Sequence, residues 1–79
     1  MQVKIGTYTG NATDNRAITG IGFQPDLVVI KGDTTTGAVF RTSSMSGDLS
    51  TEFDFTGLGS NRIQSLDSDG FTIGTFNAV

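Results

Sequence analysis

One stretch constrains this chain more than any other: Gly20-Ile-Gly-Phe-Gln-Pro-Asp-Leu-Val-Val-Ile-Lys31. It holds the only proline, Pro25, just ahead of the longest apolar run, residues 27–30. Pro25 has no N–H to donate and biases Gln24 toward extended backbone, so it belongs at the first residue of a strand or just before it. Leu27, Val28, Val29 and Ile30 are too few for a buried helix and rich in β-branching, which fits a strand. Apolar side chains at every position lie on both faces of such a strand, and both faces then need cover. A chain of 79 residues has little to cover them with, because it buries only about 60–65% of its unfolded surface.

The rest of the chain reads as shorter, more polar strands between turns. Residues 2–9 alternate Val3, Ile5 and Thr7 with Gln2, Lys4 and Gly6, which predicts a first strand. Residues 9–15 form a turn or loop, and residues 16–19 a short strand with Ile18 toward the core. Gly20 and Gly22 make a bend, and Phe23 is the next core anchor. After the strand at 27–30, residues 32–37 form a hairpin loop and residues 38–42 the return strand, where Val39 and Arg41 face away from Ala38 and Phe40. Leu49, Thr51 and Phe53 alternate with polar residues in a further strand. Ile63 and Leu66 break strict alternation, which predicts a bulge near Ser65. Residues 67–70 are a tight turn, and residues 71–76 a last strand with Phe71 and Ile73 inward. Phe23, Phe40, Phe53, Phe55 and Phe71 are the expected aromatic core. No segment keeps a helical period and none reads as a linker. The expectation is one all-β domain over residues 1–79, a small antiparallel β-sandwich or jelly-roll-like domain with short strands and Gly-rich turns.

Composition removes several functions. With no cysteine and no histidine, the chain has no disulfide, no Cys/His zinc site and no imidazole acid–base chemistry. Lys4, Arg16, Lys31, Arg41 and Arg62 are scattered, and the net charge is −3. A nucleic-acid groove or an anionic membrane surface calls for clustered positive charge, so neither partner is expected. No run approaches the about 20 apolar residues that span a bilayer. A small domain without disulfide or metal is commonly stabilised by oligomerisation, so a homo-oligomer is the expected state.

The recognisable motifs reduce to turns. Gly20-x-Gly22 and Gly57-x-Gly59 lack a third glycine and a following helix, so no phosphate loop is expected. Asp67-x-Asp69-Gly70 begins like a calcium loop, yet Asn77 and Ala78 stand where a closing carboxylate belongs. Asn11-Ala-Thr13 fits the glycosylation pattern but reads as turn chemistry. Glu52 and Asp54 fall on one strand face, as a solvated face does. The hydroxyl side chains have no base beside them in any recognisable pattern, so no enzyme and no cofactor is expected.

A resemblance adds to this reading. Gly6-Thr-Tyr-Thr-Gly-Asn11, Asp14-Asn-Arg-Ala-Ile18, Gly22-Phe-Gln-Pro-Asp-Leu-Val-Val-Ile-Lys31 and Asp67-Ser-Asp-Gly-Phe-Thr-Ile-Gly74 resemble a module of bacteriophage virion proteins, found in tail fibres and other exposed structural proteins as part of a β-sandwich. The Gly-Phe-Gln-Pro-Asp signature ahead of an apolar strand is its most specific part. This chain departs from the module after Lys31, where the longer Trp-bearing segment is missing, and after Gly74, where the module continues with another aromatic strand. Either the domain is a compact version, or a neighbour supplies that strand.

The resemblance implies a non-enzymatic structural protein on the exterior of a phage particle, on capsid or tail, in contact with other virion proteins. Tyr8, Leu27, Val29 and Phe76 are the candidate subunit contacts. The alternative is a carbohydrate- or host-receptor-binding module of a tail fibre. Its candidate ligand loops carry Asn11, Asp14, Asn15, Asp33 and Asp48.

Overall fold

A computed structural model describes residues 2–32, 37–52, 58–76 and 79. Among them the fold is all-β and forms two three-stranded antiparallel sheets. In chain order the strands are β1 (Arg16–Ile18), β2 (Leu27–Ile30), β3 (Val39–Thr42), β4 (Thr51–Glu52), β5 (Ile63–Asp67) and β6 (Gly70–Ile73). The first sheet has the order β1-β6-β5 and the second β2-β3-β4.

The sheets meet at one core. Val28, Ile30 and Val39 come from the second sheet, and Ile63, Phe71 and Ile73 from the first. Burying each such side chain contributes about 1.5–3 kcal/mol. Tyr8, Ile18, Ile21, Leu66, Phe76 and Val79 pack around this cluster. Two layers sharing one core make the molecule a small β-sandwich.

Local chemistry sets the strand positions. Pro25 is buried just ahead of β2, as its missing N–H requires. The ladder between β5 and β6 shifts register between Ile63 and Ser65, at the expected bulge. Asp67 pairs with Gly70 across a two-residue turn. A Cβ at Gly70 would overlap the Ile18 carbonyl, so only glycine lets β1 close onto this hairpin. Gly20 and Gly22 take φ of 85° and 91°, a region open to glycine, and they bend the link from β1 to β2.

Three expectations are corrected. Residues 2–9 form no strand, and Val3 and Ile5 lie open to solvent. A strand needs a ladder partner, and among the described residues no named strand pairs with that segment. Phe40 does not join the core: it pairs with Val29 and Thr51 on the outer face, while Val39 and Arg41 point inward. One residue of phase exchanges the two faces of a strand, and the smaller Val39 fits between the layers. Over the expected fourth strand, pairing among the described residues covers Thr51 and Glu52 in β4 and a single bridge from Ser50 to Gly59; Phe53 and Phe55 lie outside the described residues.

Candidate functional site

β2 alternates outward and inward side chains along its whole length. Val28 and Ile30 are 8% and 9% exposed, whereas Leu27 and Val29 are 56% and 51% exposed. The ladder places Leu27 beside Thr42 and Val29 beside Phe40, with Thr51 beyond Phe40. Among the described residues, the outer face of the second sheet thus carries an apolar strip along β2, its edge strand.

Tyr8 and Phe76, the other two candidate contacts, pack on their own body. The Tyr8 ring meets Phe71 edge-on at 6.4 Å, and the Arg16 guanidinium sits 5.4 Å from its centroid. Burial raises the Tyr8 phenol above its ordinary range, partly offset by Arg16. Phe76 lies 4.0 Å beneath the Arg62 guanidinium, which also reaches Glu52 at 3.5 Å.

The polar loops converge in part. Gln64 Nε2 donates to Asp14 Oδ1 at 2.9 Å and to Asp48 Oδ2 at 3.1 Å, which brings two candidate loops to one place on β5. Asp48 Oδ1 also accepts the Asn61 N–H at 3.2 Å. Gln64 Oε1 is enclosed without a hydrogen-bond partner. Asn11 Oδ1 accepts the Thr13 N–H at 3.1 Å, and Asn15 takes a φ of 54°; both residues are exposed and shape their turn. Asp33 lies outside the described residues.

Asp67 and Asp69 turn to different partners. Asp67 accepts from the Ser65 and Thr72 hydroxyls at 2.8 and 2.7 Å. Asp69 accepts the Gly22 and Gly20 N–H groups at 2.7 and 3.1 Å. Those two bonds hold its carboxyl below the usual carboxylate range.

Sequence reasoning missed two side chains that organise these loops. Arg41 is buried, and its guanidinium donates to the carbonyls of Leu49, Gly47 and Met45 at 2.6, 2.7 and 3.0 Å, folding residues 43–49 around a cation. Its place two residues after the core residue Val39 was the available signal. Ser50 is fully buried; its hydroxyl accepts the Ile63 N–H at 3.1 Å, and its backbone pairs with Gly59. Nothing in the sequence distinguishes it from the other serines.

Fold and surface together define a small two-sheet β-sandwich with one apolar outer face. The chain belongs to a family described as a domain of unknown function (DUF7483), whose model matches residues 2–79. Neither a curated protein nor a solved structure matches the chain.

Proposed function

We propose that this chain is a non-enzymatic structural protein of a bacteriophage particle, exposed on the capsid or tail exterior and held there by packing between its own copies and against other virion proteins. The apolar strip of Leu27 and Val29, about half exposed on both residues, carries this reading. Both side chains would gain from burial, and this chain leaves them in water. The resemblance of residues 22–31 to the phage module supplies the setting.

Sedimentation of the purified chain across a range of concentrations tests the packing. Wild type is expected to associate, and a Leu27→Ser/Val29→Ser variant to stay monomeric while keeping its β-sheet spectrum. A folded wild-type monomer that ignores isolated virion proteins sinks the proposal.

The convergence of Asp14 and Asp48 on Gln64 favours a second reading, a carbohydrate- or host-receptor-binding module. A glycan array probed with wild type and with Asp14→Ala/Asp48→Ala separates the two. Binding lost in the variant supports this reading, and no binding at high micromolar concentration removes it.

A further inference from the structure

Among the described residues, neither residues 2–9 nor the outer edge of β2 has a strand partner. The segment carries a period-two pattern and forms no strand, with Val3 70% and Ile5 90% exposed. β2 pairs with β3 on one side, and among the described residues no strand pairs with its other edge. Residues 2–10 and 23–32 line one open groove of about 1380 Å³, together with Ile21 and Phe71. Tyr8, packed on Phe71, and Thr9, whose carbonyl accepts from Arg16 at 2.6 Å, tie the root of the segment to its own body. Residues 2–7 extend beyond that anchor.

We propose that this N-terminal arm adds a strand to the β2 edge of a second copy, so that two copies exchange arms about a two-fold axis. The proposal rests on the packing of copies argued above and names a device for it. Its facing follows from charge. If Val3 and Ile5 shared the outer face with Leu27 and Val29, Lys4 would point between the layers as a lone buried cation. The opposite facing puts Val3 and Ile5 beside the inward Val28 and Ile30, and Lys4 in solvent beside Val29. Every strand pairing among the described residues is antiparallel. One antiparallel register sets both arm residues against both core residues of β2: Val3 opposite Ile30, Lys4 opposite Val29 and Ile5 opposite Val28.

Charge suits the β2 edge as the acceptor of this arm. Lys4 is the only charged residue in residues 2–13, so the arm carries +1. The remaining four basic and eight acidic residues leave the body at −4, and Asp26 is among the residues that line the groove. A cationic arm and an anionic body attract, within one copy as well as between two; what points to a second copy is that each chain leaves Val3 and Ile5 exposed. The exchange is isologous, because each copy donates and receives the same elements, and it closes at two.

The absence of native cysteine makes introduced thiols unambiguous. Full-length Lys4→Cys and Val29→Cys chains are mixed under mild oxidation and the products mapped by mass spectrometry. A mixed disulfide, joining position 4 of one chain to position 29 of the other, is the expected product. Association that yields only bonds between two position-29 thiols, or that survives removal of residues 2–7 unchanged, overturns the arm exchange and leaves packing through the outer face standing. A wild-type chain that stays monomeric overturns the arm exchange; the proposed function falls with it only if that monomer also ignores isolated virion proteins. An intramolecular bond in a monomeric Lys4→Cys/Val29→Cys chain overturns exchange in favour of a segment that folds back on its own edge. Because a shortened chain can fold poorly, Ile5→Asp serves beside it: the dimer dissociation constant is expected to rise about tenfold or more, against less than about threefold for Ile5→Val. Equal dissociation constants for wild type and Ile5→Asp count against the proposal.

Discussion

The two sheets differ most on the faces they turn away from the core. On the first sheet the outward positions include Ala17, Thr72 and Ser65, and the Asp67 carboxylate accepts from both hydroxyls. Those hydroxyls and that carboxylate satisfy one another within the sheet. The corresponding face of the second sheet presents Leu27, Val29 and Phe40 with Thr42 and Thr51. Size does not explain the contrast, since each sheet has three short strands. Among the described residues the apolar strip lies on only one outer face, and that is the face the proposed packing would use.

The contrast presumes that the sheets are halves of one cooperative unit. Ile63 is fully buried at their shared core. Ile63→Ala is expected to cost about 2–5 kcal/mol, a large part of what a domain of this size has. Urea unfolding followed by circular dichroism and by amide exchange should show both sheets lost together. If β2 and β3 keep their protection while β5 and β6 lose theirs, the sheets are separate units and their outer faces cannot be compared as two sides of one body.

A smaller change sharpens the polar side. Thr72→Val removes the hydroxyl that donates to Asp67 and leaves the β-branched shape in place. The expected loss is about 1 kcal/mol, read as a lower denaturation midpoint at unchanged slope. The same exchange in reverse on the other face, Val29→Thr, should change the stability of the dilute monomer by less than about 0.5 kcal/mol and weaken association. Equal effects of the two substitutions on the monomer would erase the distinction between the faces.

The all-β class, the bulge at Ser65 and the two-faced strand at Leu27–Ile30 were legible in the sequence, because each depends on local pattern: β-branched alternation, its interruption, and a proline that cannot join a ladder. The inward turn of Val39 and Arg41 was not. Phe40 is the larger apolar residue, so size pointed to the wrong face of β3, and only the pairing with Val29 and Thr51 decides it. Residues 2–9 show the opposite failure. Their alternation is genuine strand pattern, but pattern does not name the partner, and the described residues of this chain supply none. Of the candidate surfaces, Leu27 and Val29 could be read directly from the apolar run. The meeting of Asp14 with Asp48 depends on Gln64, fifty and sixteen residues away from them respectively, and no local signal carries contacts at that separation.

The finest adjustment lies in the link between the sheets. Asp69, on the β5–β6 turn, accepts the N–H groups of Gly20 and Gly22 and pins the segment that leaves β1 for β2. Those bonds favour the carboxylate, so its pKa in the folded chain lies below the ordinary 3.8. Stability from this group is therefore complete above the unfolded-state pKa and is lost as pH falls from the region of 3.8 through the lower folded-state value. Asp69 is fully exposed, so solvent screening keeps the effect below those of Ile63→Ala and Thr72→Val. Thermal melts of wild type and Asp69→Asn from pH 7 down to pH 2 measure it. The wild type should lead at neutral pH, with the gap closing as the medium becomes acid. If the gap stays constant over that range, the carboxylate charge has no part in holding the link, and the two faces are kept in place by the shared core alone.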